Sequence, residues 1–155
     1  MTSNAEQRLK ASRIELPPAP KPLGAYVEAV QVGNLVFVSG ALPLEGGVPK
    51  FLGRLGAEIS IEQGRNAARL AALNALALAR RHLGTLDKVE RVARLFVSLA
   101  TTPEFSEHPK VADGASEVLA EVFGAELASA RNVAGVLSLP KGACVVVELV
   151  LAMQP

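Results

Sequence analysis

The sequence predicts one α+β domain, and three observations carry that prediction. Segments alternating apolar and polar residues with period two occur near both ends of the chain and once in its middle. Two segments of helical period, opened or closed by capping residues, lie between them. The composition, 155 residues with 50% hydrophobic and 20% charged, suits a single compact unit with a core of its own.

Taken in order, "NAEQRLKA" at 4–11 reads as a short helical arm, and the "LPPAPKPLG" behind it holds prolines that forbid regular helix. Residues 1–22 are thus an arm and a proline-rich strap on the surface, and 23–155 the domain proper. From Tyr26, "YVEAVQVGNLVFVSG" is β-rich and broken at Gly33-Asn34, a hairpin of two strands. "LPLEGGVPKFLGRLG" adds a turn at Gly46-Gly47, read as a third short strand with a loop. "SIEQ" at 60–63 is a capping box, so a helix starts there and runs through the alanine-rich "RNAARLAALNALALARRHLG". Arg80, Arg81 and His82 suit its negative end, and Gly84 closes it.

"KVERVARLFVSLA" alternates as a strand, with Ala93, Leu95, Val97 and Leu99 on one face and Arg94, Phe96 and Ser98 on the other. In "KVADGASEVLAEVFG", Val111, Ala115, Val118, Leu119 and Val122 fall at helical spacing, and Gly124 ends the helix. "ARNVAGVLSLPKGACVVVEL" supplies two last strands, turned at "PKGA". The expected order is βββαβαββ: a six-stranded mixed sheet with two helices on one face.

In the last strand Val145, Val147, Leu149 and Leu151 point one way and Val146, Glu148 and Val150 the other. Both faces are largely apolar, and two helices cover only one. A buried valine is worth about 1.5–3 kcal/mol, so the second face calls for a partner. Self-association is the expectation; the alternative is that the N-terminal arm folds back over this face.

Near-balanced charge, 16 basic against 15 acidic residues for a net +1, creates no global field toward nucleic acid or anionic membrane. The single cysteine, Cys144, has no partner for an internal disulfide, and the N-terminus lacks the apolar core of a secretory signal, so a cytoplasmic protein is expected. The longest apolar run, "ACVVVELVLAM", is too short to span a bilayer as a helix, and no membrane association is expected.

Arg131 heads a strand in this apolar setting. Its guanidinium stays ionised and is costly to bury alone, so its partner is either a protein carboxylate, in an intersubunit ion pair for which Glu148 is a candidate, or that of a ligand. Following the helix-loop "GAELASA", it can point into a cleft that accepts a small carboxylate in bidentate fashion.

"PLGAYVEAVQVGNLVFVSG", "FSEHPKVADGASEVLAEVFG" and "ARNVAGVLSLPKGACVVVEL" resemble the YjgF/Rid family, also called endoribonuclease L-PSP or reactive intermediate deaminase proteins, over about 16–153 and in the family's order. The "RIELPPAPKPLGAY" and "EHPKVADGAS" segments are more like a branch distinct from the best-studied imine deaminases. The resemblance implies a fold like that of the bacterial trimeric chorismate mutase, and a homotrimer with ligand clefts between subunits. It further implies hydrolysis of 2-imino acids, or their enamine tautomers, to 2-keto acids and ammonia, with no metal or organic cofactor. Arg131 matches the family's carboxylate clamp, and Tyr26, Ser39 and Gly40 match residues lining the cleft.

Two departures bear on chemistry. A cysteine found in many deaminases is Val133 here, and the glutamate that positions water aligns with Val146. Glu148, on the same face about 7 Å further along, matches a second family glutamate and is the candidate catalytic carboxylate that the resemblance leaves. Losing general acid-base help costs typically 10²- to 10⁴-fold, so weak turnover or none is expected toward the usual imines. The competing reading is a non-catalytic module that binds 2-imino or 2-keto acids. The ribonuclease or translation-inhibitor activity in the family's older names finds little support: there is one tyrosine, no tryptophan and no histidine pair at a useful spacing. His82 at a helix end, His108 in a loop, and Glu121 and Glu126 are read as solvated. So is any basic face of Arg65, Arg69, Arg80 and Arg81.

Overall fold

The computed structural model describes residues 4–155. Asn4 caps the first helix, α1 (Ala5–Ala11), its side chain accepting from the Gln7 backbone while Gln7 reaches back. The strap follows, and Ile14, Leu16 and Ala19 on it turn inward against the core. The hairpin at Gly33-Asn34 joins β1 (Ala29–Val32) to β2 (Leu35–Ala41), with Gly33 in the left-handed region. Tyr26 lies before the first strand.

Two tiny strands, β3 (Leu44–Glu45) and β4 (Val48–Pro49), pair only with each other around Gly46-Gly47. The expected sixth strand of the main sheet is therefore absent: with β5 (Val89–Ala100), β6 (Ala130–Val136) and β7 (Val145–Met153), the sheet has five strands in the order β1-β2-β7-β5-β6. The chain turns off the sheet because Asn74 of α2 (Ile61–Leu83) donates to the carbonyls of both Leu42 and Leu44, at 3.1 and 2.9 Å. The Leu42 carbonyl also accepts from the Leu44 backbone N–H at 2.9 Å, which turns the chain at this point.

The Ser60 capping box and the Gly84 terminus of α2 form as expected. The fifth strand, β5 (Val89–Ala100), places Leu95, Val97 and Leu99 in the core, but bulges near Arg91 and between Val92 and Arg94 reset the alternation, so Val92 is buried in place of Ala93. The crossover helix α3 (His108–Phe123) leads to β6 (Ala130–Val136), which runs parallel to β5. The last strand, β7 (Val145–Met153), is antiparallel to β2 and β5. The expected hairpin through "PKGA" does not form: β5 lies between β6 and β7. The 29 residues of the 101–129 segment, helix included, are long enough for a parallel crossover.

Val36, Val38, Leu95, Val97, Val147 and Leu149 form the buried sheet face against α2 and α3. The helices are close-set: a Cβ on Gly114 would lie 2.2 Å from the backbone oxygen of Arg65. The arm packs on α3, on this same side, so it does not cover the second face. Val30, Val32 and Phe37 on that face are 47%, 63% and 45% exposed.

Candidate functional site

Strand register decides where Arg131 points. It is the β6 partner of Leu95, a fully buried core residue, so its side chain leaves the sheet on the helix side. There it meets Asp113 and Ser116, three residues apart and on one side of α3. Its Nη1 donates to Asp113 Oδ1 at 2.7 Å and to Ser116 Oγ at 3.0 Å. Within the chain the guanidinium is thus held by an acid, Asp113. Only Nη1 is engaged. Nε and Nη2 have no partner among the described residues, and the Arg131 side chain is 25% exposed, that of Asp113 48%. Val133, two residues on, is half-buried and packs against the core on the same face.

Asp113 and Ser116 escaped the sequence reading. The available signal was their position on α3, at i and i+3 beside the apolar stripe of Val111, Ala115 and Val118, although pairing with a strand 15 to 18 residues downstream needed the crossover topology.

The remaining expected site residues gather elsewhere. The Ser39 hydroxyl donates to the Val27 carbonyl at 2.8 Å, and the Tyr26 phenol oxygen accepts from the Leu23 backbone N–H at 3.1 Å. The Ser39 bond ties the segment before β1 to β2, and the Tyr26 bond closes the 23–26 turn. Tyr26, Ser39 and Gly40 line a cleft of only about 20 Å³, room for a single water. Gly40 abuts Val146, since a Cβ there would come within 2.8 Å of Val146 Cγ1. Val146 and Glu148 share the open face of β7, with Glu148 exposed and unpaired among the described residues. A wider concavity of about 550 Å³ on that face is lined by Phe37, Ser39, Arg94, Phe96 and Glu148, the Arg94 guanidinium lying 5.6 Å above the Phe96 ring.

Within one chain the two groups do not meet. Strands β7 and β5 lie between β2 and β6, a lateral distance of about 14 Å. Arg131 also projects from the helix side of the sheet, while Ser39, Val146 and Glu148 are on the other.

Outside these groups, the arginines of α2 form no free basic face. Arg65 pairs with Glu117, Arg69 with Glu121, Arg80 with Glu6 and Arg81 with Glu28. Glu121 is accordingly not simply solvated, and Glu126 lies 3.8 Å from Arg8. His108 is the first residue of α3 and not a loop residue, packed edge-on to Phe105 at 5.2 Å. Cys144 is fully buried, and desolvation pushes its thiol pKa up to about 11. Among the described residues no helix is long and apolar enough to cross a membrane, and no cluster of three or more His, Cys, Asp or Glu is placed to hold a metal ion.

A five-stranded mixed sheet with helices on one side defines an α+β domain. Over residues 6–152 the chain matches the family described as "YjgF/chorismate mutase-like, putative endoribonuclease", and it belongs to that family. It is 39% identical over 142 residues to Protein TCP17 of Trypanosoma cruzi, covering 91% of this chain and 89% of the relative. It is 28% identical over 141 residues to a 2-iminobutanoate/2-iminopropanoate deaminase of Dermatophagoides farinae, covering 91% and 95%. A crystal structure from Shewanella oneidensis, described as a "putative endoribonuclease", superposes with a TM-score of 0.93 at 33% identity, over 97% of this chain and all of the other.

Proposed function

We propose that the protein is a homotrimer that binds small carboxylates, 2-imino or 2-keto acids, in clefts between subunits, with Arg131 as the carboxylate clamp. One observation carries this reading: the Nε and Nη2 edge of a partly exposed guanidinium has no partner among the described residues. That edge presents two parallel N–H donors, the arrangement a carboxylate accepts in bidentate fashion. The separation of Arg131 and Val133 from Tyr26, Ser39, Gly40, Val146 and Glu148 within one chain favours completion of the cleft by a second copy. The uncovered apolar face favours self-association as well.

Imine hydrolysis is the second reading, supported by a relative named as an iminobutanoate deaminase. A clamp alone fixes the imine carbon for attack by water; it supplies no base. With Val146 at the usual glutamate position, any turnover depends on Glu148 or another carboxylate. Calorimetry with pyruvate and 2-oxobutyrate tests the binding reading: saturable binding by the wild type, abolished in Arg131→Ala, is expected. Binding that survives the substitution sinks it. Decay of iminopyruvate, generated by an amino-acid dehydratase, tests turnover, and a rate equal to the uncatalysed one for several imines removes the deaminase reading.

A further inference from the structure

A second cluster of polar side chains lies away from Arg131, at the carboxyl ends of the two parallel strands β5 and β6, where the crossover to α3 begins. There a concavity of about 430 Å³ is lined by Arg54, Thr101, Thr102 and His108, with Phe105 and Leu137 as apolar walls. Gly135 makes room for it. A Cβ at that position would come within 2.7 Å of His108 Nε2 and 2.9 Å of Thr101 Oγ1, so a polar atom from α3 and another from just past the end of β5 face the same point beside β6. The fold uses up none of the four polar groups: the Arg54 guanidinium, both threonine hydroxyls and the His108 imidazole make no hydrogen bond among the described residues. The nearby acids are turned elsewhere. Glu58 accepts from the Arg54 backbone N–H at 3.0 Å, Glu107 pairs with Lys110 at 2.6 Å, and no carboxylate lines the concavity among the described residues.

We propose that this concavity is a second ligand site, for phosphate, free or as the monoester of a small organic group. A guanidinium and three further donors, brought in from three separate segments of the chain and answered by no carboxylate, suit a tetrahedral oxyanion with acceptor oxygens on several sides. A carboxylate offers a planar pair of oxygens, which one guanidinium edge already satisfies. Phe105 and Leu137, the latter 79% exposed, give the organic group of a monoester apolar surface to cover. Gly135 lies four residues, about 13 Å, along β6 from Arg131, so the two sites are separate and the reading of Arg131 can fail without this one.

The test uses the full chain in its native assembly, with inorganic phosphate and phenyl phosphate as probes. The chain has two histidines, so proton NMR can follow both rings through a titration. Either probe is expected to shift the His108 signals saturably while those of His82, exposed near the end of α2, stay in place. Calorimetry is expected to show binding weakened at least about tenfold in Arg54→Gln, which removes one charge-assisted contact, and in Gly135→Ala, whose methyl group fills the point between His108 and Thr101. Whichever probe binds more tightly identifies the source, monoester or free anion. Equal shifts of both histidines mark an adventitious ion only and overturn the proposal, as does the lack of any saturable shift of His108. Binding that both variants keep, or that Arg131→Ala abolishes, overturns it too. The wild-type titration decides whether or not either variant folds.

Discussion

At the scale of single residues, the side chains with the most to say are those whose surroundings fix their chemistry. Cys144 is buried beyond the reach of water, and its thiol is held protonated with a pKa near 11. It is expected to ignore a thiol reagent at pH 8 in the native protein and to react once denaturant is added, which a colorimetric thiol assay reads directly. The folded thiol has a higher pKa than the unfolded one, so its contribution to stability is complete below about pH 9 and is lost as pH rises toward 11. Asn74 is the one buried polar residue among those described, and its amide holds two backbone carbonyls of the segment after β2. Asn74→Ala orphans the Leu44 carbonyl, while that of Leu42 keeps the Leu44 backbone N–H as donor, at a cost of about 1–3 kcal/mol. A lower melting temperature and faster amide exchange over 42–50 are the expected measurements.

Among elements, the closest approach is that of α2 to α3. Alanines 67, 68, 71 and 75 on one helix and Gly114 on the other let the backbones come near enough that no side chain fits at position 114. Gly114→Ala is expected to push the helices apart and cost at least about 1–3 kcal/mol, although alanine is the better helix former. Thermal unfolding settles it, and an unchanged or higher melting temperature contradicts the packing argument. This same contact holds α3 in place beneath β6, so the Arg131–Asp113–Ser116 geometry depends on it. A weakened carboxylate affinity in the folded Gly114→Ala protein is the functional echo.

For the whole molecule, the question is what covers the second sheet face. Phe37, Val30 and Val32 stay exposed in one chain, and the arm that was the alternative cover packs on α3 instead. Light scattering is expected to give three times the 16.2 kDa chain mass. Phe37→Asp, which places a charge in that interface, is expected to shift the population toward monomer and to reduce carboxylate binding with it, because the site is proposed to be built by two copies. A wild-type monomer in solution would end that reading.

Much of the architecture was open to reading from the chain itself. Period and capping chemistry are local, so both long helices, the first hairpin and the long strands follow from residues within a few positions of one another. The two faces of β7 and the position of Arg131 at the head of β6 were legible for the same reason. What the sequence left undetermined is non-local. A pattern of alternation says that a strand forms, not which strand lies beside it, so the placement of β5 between β6 and β7 and the departure of β3 and β4 from the sheet were decided by tertiary pairing and by Asn74. The partner of Arg131 belongs to the same class: only the parallel crossover brings Asp113 and Ser116 under β6, because a contact between a helix and a strand is set by three-dimensional packing and leaves no spacing along the chain to read.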